Sequence, residues 1–118
     1  MRLNEITYDG SKPVDGYGEG FFRVGGQVIE GGAALLPSGP VAWSGEAAPL
    51  VAEAEAIDVV LLGMGADIAN PPEDLVAELE AAGMGVEVMS SPSACRTYNV
   101  LLSEGRRIAA AVFPVVAG

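Results

Sequence analysis

The residues best suited to chemistry lie in one stretch, Ser93 to Phe113, which reads SACRTYNVLLSEGRRIAAAVF. It holds the chain's single cysteine, Cys95, beside Arg96, with Tyr98 and Asn99 close behind and three of the six basic side chains in all. A thiol in the first turn of a helix, next to a cation, can ionise early because amide donors, the macrodipole and the positive charge all favour thiolate. The same thiol on the edge of an apolar stripe is a packing group, since free cysteine is among the most buried residue types. The chain offers neither a general base nor a resolving cysteine, so packing is the leading reading of Cys95. Arg96, placed in the first helical turn, opposes the dipole and calls for a partner. Glu87 or Asp67, at strand ends, would supply an internal ion pair; an external anion is the alternative. Fifteen acids in residues 1–90 favour the internal pair. Tyr98 is expected to bury its ring and hydrogen-bond its hydroxyl. Asn99 is unfavourable inside a helix, which points to an amide used by a neighbouring loop.

A second constellation is Gly63-Met64-Gly65, directly after the apolar run Val59–Leu62. A nucleotide-binding turn would begin there, but Ile68 stands where the third glycine belongs, and Asn70-Pro71-Pro72 delays the next helix. A tight strand exit is the simpler reading. Histidine is absent altogether, so neither a Ser-His-Asp or Cys-His relay nor a His-bearing metal site can be built within one chain. One cysteine excludes thiolate-rich metal sites as well. No cofactor is implied.

The net charge is −10: residues 1–90 balance to −12 and residues 91–118 to +2. The acidic part would repel a phosphate backbone, and three arginines make a poor footprint for nucleic acid. The acidity of the protein speaks first to solubility. The longest apolar stretch, Ile57 to Ala66, is interrupted by Asp58 and is far short of the ~20 residues that span a bilayer. With no apolar run behind Met1–Gly10, no signal peptide is expected, and a single cysteine fits a reducing compartment. A cytoplasmic protein is the expectation.

These residues must be positioned by a single domain, residues 1–118. Turn signals at Asp9-Gly10, Asp15-Gly16, Gly25-Gly26 and Gly31-Gly32 punctuate short apolar runs at Gly20–Val24, Gln27–Ile29, Ala33–Leu36 and Val41–Trp43, as in antiparallel hairpins. From Ser44 the pattern becomes helix–strand alternation. Ser44 is expected to cap a helix over about Glu46–Ala56, with Leu50, Val51 and Ala54 facing inward. Val59–Leu62 reads as a strand covered on both sides. Asn70 is expected to cap a helix over about Pro72–Ala82 that buries Leu75, Val76 and Leu79 and ends at Gly83. Gly85–Met89 is the next strand. Ser91-Pro92 opens a helix with Ala94, Tyr98 and Leu101 on one face, Leu102 beside them and Cys95 at the edge. Gly105 closes it, a solvated turn at Arg106-Arg107 follows, and Ile108–Phe113 is the last strand. The order predicts an α/β domain with a β-rich beginning.

Taken together, GYGEGFFRV (Gly16–Val24), Leu36-Pro37, Trp43, LLGMGA (Leu61–Ala66), GVEVM (Gly85–Met89) and ACRTYNVLLSEGRRIAAA (Ala94–Ala111) resemble the Mth-domain family of unknown function. That family includes the adipogenesis-associated Mth-domain protein and a mitochondrial assembly factor of complex I. Ala94 to Asn99 and Glu104 to Arg106 match its C-terminal signature. Ser90-Ser91-Pro92-Ser93 departs from the Asp-Thr-Gly-Ala-like stretch expected there, and Met64 replaces a small polar residue. The resemblance implies a three-layer α/β fold, a mixed central sheet covered by helices and an extra N-terminal β element. It brings no catalytic activity with it. The leading expectation is therefore a small non-enzymatic interaction or assembly domain with an unidentified protein partner. A second copy of the chain is one candidate for that partner. The rival is a small-anion or thiol site around Cys95, Arg96, Tyr98, Asn99, Gly63 and Gly65, where α/β sheets place ligands outside strand carboxyl ends.

Overall fold

A computed structural model of the chain describes residues 10–116. Three short antiparallel strands, β1 (Val14–Gly18), β2 (Phe21–Val24) and β3 (Gln27–Glu30), form a small sheet in that order. The remaining strands are β4 (Gly32–Leu36), β5 (Gly39–Trp43), β6 (Val59–Gly63), β7 (Gly85–Met89) and β8 (Ile108–Val112). They make a five-stranded sheet in the order β5-β4-β8-β6-β7. Its β6 runs parallel to both neighbours, while β4 is antiparallel to both of its own. Helices α1 (Ala48–Val51), α2 (Glu73–Ala81) and α3 (Ser91–Ser103) cover this mixed sheet.

Alternation of side chains along the strands builds two cores. Ala33, Leu35, Leu61, Ala110 and Val112 face α3 and the small sheet, which contributes Phe22, Val24 and Ile29. Ala34, Leu36, Val60, Leu62, Ala109 and Ala111 face the other way, toward Leu50 of α1 and Leu75 and Leu79 of α2. The central strand β8, with sequence IAAAV, is buried throughout. Its alanines let layers approach closely on both faces. The result is three layers with an extra β element beside α3.

Helix α2 follows its sequence closely. Leu75 and Leu79 are buried and Val76 half-buried, and Glu73, Asp74, Glu78 and Glu80 face water. Gly83 stops the helix at φ 94°, and Met84 N–H donates back to Leu79 O, as expected of a left-handed cap.

Five local expectations are corrected. Asn70 does not cap α2; Pro72, extended at φ −61° and ψ 123°, is the cap residue and the helix starts at Glu73. A residue before proline resists the helical region, so Pro71 cannot begin a helix ahead of Pro72. The helix expected over about Glu46–Ala56 is one turn at Ala48–Val51 and a 3₁₀ turn at Ala54–Ala56. There Leu50 is buried but Val51 is exposed, and Ser44 bonds the Glu46 carboxylate through its N–H and hydroxyl instead of capping. Asp15-Gly16 is not a turn but part of β1, where the pairing with β2 shifts register between Val14 and Gly16. The Asp15 carboxylate accepts the Gly26 N–H at 2.6 Å, a side-chain bond that holds this irregularity against the β2–β3 turn. Asp9 of the first turn signal lies outside the described residues.

Candidate functional site

The head of helix α3 meets the carboxyl ends of β6 and β8. Ser90 caps the helix, its hydroxyl accepting the Ser93 N–H at 3.3 Å. Ser91, fully buried, does more. Its hydroxyl accepts the Gly65 N–H at 2.9 Å and donates to Phe113 O at 2.6 Å. Its own N–H donates to Gly65 O at 2.7 Å, and Phe113 N–H donates to Gly63 O at 2.8 Å. One hydroxyl therefore ties the β6 exit, the β8 exit and the α3 start together.

Gly63 and Gly65 serve that junction. A Cβ on Gly63 would lie 2.8 Å from Ser91 Cα, Ser91 Oγ and Val112 Cγ1, so only glycine permits the approach. Gly65 has φ 95°, a left-handed conformation that favours glycine. The amides that a phosphate would use have protein partners: Met64 N–H donates to Met89 O and Gly65 N–H to Ser91. The turn is a strand exit closed by the protein's own serine.

The structure sends the four α3 candidates in different directions. Cys95 is 4% exposed and Tyr98 fully buried, both in the core between α3 and the sheets. Burial pushes the Cys95 thiol up to about 11, with Arg96 pulling weakly the other way. Burial likewise pushes Tyr98 up to about 12. The Tyr98 hydroxyl has no hydrogen-bond partner among the described residues. The Ser11 hydroxyl offsets part of the burial, but it stands outside hydrogen-bond geometry and instead reaches Pro37 O at 3.5 Å. The hydrogen bond expected of Tyr98 is thus not made among the described residues.

Asn99 uses its whole amide on β1. Its Oδ1 accepts the Val14 N–H at 2.8 Å and its Nδ2 donates to Val14 O at 2.9 Å. This clamp joins α3 to the small sheet across 85 residues of chain. The amide is used as anticipated, on a strand rather than a loop.

Arg96 is exposed, and its described partner is the Ser93 hydroxyl at 3.2 Å. The ion pair expected with Glu87 or Asp67 is absent among the described residues. Because α3 begins at Ser91, Cys95 and Arg96 are its fifth and sixth residues. They lie in the second turn, beyond the free N–H groups where the dipole acts most strongly. The position therefore does not demand a partner. Among the described residues Arg107 pairs instead, with Asp58 at 3.3 Å, across the base of β8 and β6.

Sequence reasoning missed Glu53, which is largely buried and accepts from the Ser38 N–H at 3.0 Å and the Ser38 hydroxyl at 2.5 Å. It also missed that the Trp43 ring packs tilted against Phe113, ring centres 4.8 Å apart, and that its indole N–H donates to Glu46 O. Nothing local signals either contact. Open grooves of about 380 to 500 Å³ mark the surface. Among the described residues no cluster of three metal-ligating side chains occurs, and no helix is long and apolar enough to cross a membrane.

This arrangement, a mixed five-stranded sheet with a three-stranded companion beside α3, is that of the Mth938-like domains. A Bordetella pertussis protein described by that term superposes with a TM-score of 0.72 at 25% identity, over 100% of this chain and 95% of its own. The chain belongs to the family described as "Protein of unknown function (DUF498/DUF598)", whose profile matches residues 14–113. An uncharacterised protein of Rhodobacter capsulatus is 49% identical over 98% of this chain and 94% of its own length. The NADH dehydrogenase (ubiquinone) 1 alpha subcomplex assembly factor 3 of Danio rerio is 34% identical over 82% of this chain. The match spans 61% of that relative's length. A Bartonella henselae structure described as an outer membrane protein superposes with a TM-score of 0.82 at 32% identity, covering 92% of this chain and 98% of its own.

Proposed function

We propose that the chain is a small non-enzymatic interaction domain that assists assembly by binding another protein. The observation that carries this reading is the 34% identity, over 82% of the chain, to a protein named as a complex I assembly factor. The geometry supports it from the other side. Cys95 and Tyr98 are packed in the core and Asn99 is engaged with Val14, so the groups that carry most chemistry are occupied in holding the fold. Capture of the tagged protein from its native cell, with cross-linking and mass spectrometry, tests the reading. A reproducible, stoichiometric protein partner is the expected result. Recovery of the protein alone, at native concentration and with cross-linker present, would refute it.

The rival reading keeps one observation in its favour, the exposed Arg96 guanidinium with no acidic partner among the described residues. Inorganic phosphate is the direct probe. If Arg96 holds an anion, phosphate raises the melting temperature of the wild type and not of Arg96→Ala. An interaction domain shows the same small effect in both.

A further inference from the structure

The two edges of the main sheet differ. At one end β5 carries Pro40 within the strand, a residue that blunts an edge because it has no N–H to offer. At the other end β7, with sequence GVEVM, has no proline and no basic residue. Gly85 N–H donates to Asp58 O at 2.9 Å, and Met89 O accepts the Met64 N–H at 2.8 Å. With the parallel register Val59 to Gly85 through Gly63 to Met89, Gly85, Glu87 and Met89 turn their backbone groups toward β6. Val86 and Val88 therefore turn theirs outward, where no described strand covers them.

The side chains around this edge specify an occupant. Val86 and Val88 lean toward the α2 face. An open hollow of about 390 Å³ there is lined by Ile68, Ala69, Asn70, Pro71 and Val88, and Ile68 is 69% exposed. Acids surround it: exposed Asp67 directly precedes Ile68, exposed Glu73 and Glu80 line the neighbouring groove that shares Asn70 and Pro71 with the hollow, and Glu87 is exposed on the opposite face of β7. None of these four acids is in an ion pair with another described residue. Between Val24 and Cys95 the sequence has no Lys or Arg at all. A second copy fits poorly. Two β7 strands paired antiparallel in fullest register would set Glu87 opposite its own counterpart, and like charges directly opposed destabilise a pair.

We propose that the β7 edge is the docking surface of this domain, and that it takes an extended segment of a basic partner as a sixth strand of the main sheet. This rests on the reading of the chain as an interaction domain and names the surface and the partner's chemistry. The segment alternates: apolar side chains enter the hollow at Ile68 and Val88, and Lys or Arg side chains lie on the other face beside Glu87. Backbone bonds to Val86 and Val88 supply affinity, and the alternation supplies selectivity.

A synthetic peptide of alternating Val and Lys, labelled for fluorescence anisotropy, is the probe, with an alternating Val and Glu peptide as its control. Binding of the Lys peptide alone is expected, with slower amide exchange at Val86 and Val88. Glu87→Lys, at an exposed position, should weaken it roughly tenfold. Val88→Pro removes an outward N–H while leaving the β6 pairing intact, and should abolish it. Equal binding of both peptides, or binding unchanged in both variants, would overturn the proposal. So would a wild-type dimer that Val88→Pro dissociates, since the occupant would then be a second copy. The native capture separates the two levels of argument. A partner retained equally by wild type and Val88→Pro removes the β7 edge but keeps the interaction domain; no partner in either removes the domain reading itself.

Discussion

Replacing Asn99 by alanine removes two hydrogen bonds at once and exposes how far α3 depends on β1. Asn99 answers both backbone groups of Val14, at 2.8 and 2.9 Å. Val14 is 9% exposed and belongs to the core cluster beneath α3, so water cannot readily take over. Each bond is worth about 1 kcal/mol net, and a buried group left without a partner adds about 1–3 kcal/mol. Asn99→Ala should therefore destabilise by about 2–4 kcal/mol, measured by urea denaturation with an unchanged m-value. Amide exchange adds a local readout: Val14 N–H should lose protection by more than the global change, because its acceptor is gone. Asn99→Asp refines the argument. Protonated, the carboxyl can still donate to Val14 O; ionised, it opposes that carbonyl. The folded state thus favours the protonated form, so the variant is closest to wild type below about pH 4 and loses stability as the pH rises from there. A loss under about 0.5 kcal/mol in Asn99→Ala, the size of an ordinary surface change, would refute the clamp.

Ser91→Ala should cost about 2–3 kcal/mol by leaving Gly65 N–H and Phe113 O without their shared partner, read by thermal or urea unfolding against wild type. Leu79→Ala, at a fully buried position of α2, should cost about 2–5 kcal/mol by the same measurement. Cys95 should react with a disulfide reagent at neutral pH roughly a hundredfold or more slower than free cysteine, since its thiol is held at about 11. Its folded value lies above the ordinary 9.0, so the proton is bound more tightly in the folded state. The stability it contributes is complete below the ordinary value and is lost as the pH climbs toward the folded one. A urea midpoint that stays flat across that window would contradict the burial.

What was legible in the sequence shares one property: it is written within a few residues. The period of Leu75, Val76 and Leu79 marked the buried stripe of α2, and Gly83 marked its end, because a helix brings neighbours three and four apart onto one face. The apolar run of β6 announced a strand covered on both sides, and that of β8 announced the last strand. Tyr98 could be placed on the inner face of α3, and Cys95 at its edge, by angle alone. The absence of histidine excluded whole classes of catalysis before any fold was known. Tandem prolines misled at Asn70, since the restriction that Pro72 places on Pro71 outweighed the capping preference of the asparagine.

Tertiary structure decided everything that depends on distant partners. The strand order β5-β4-β8-β6-β7 leaves β7 as an edge, and no local pattern carries that fact. Asn99 meets Val14 across 85 residues, and Ser91 meets Gly65 and Phe113 only because the β6 and β8 exits converge on the head of α3. Arg96 shows the limit most plainly. An excess of acids favoured an internal partner, yet the guanidinium is exposed while Arg107 takes Asp58. Periodicity is a property of the local chain and can be read from the order of residues. A hydrogen bond or ion pair is a property of distance, and distance between remote residues exists only once the chain has folded.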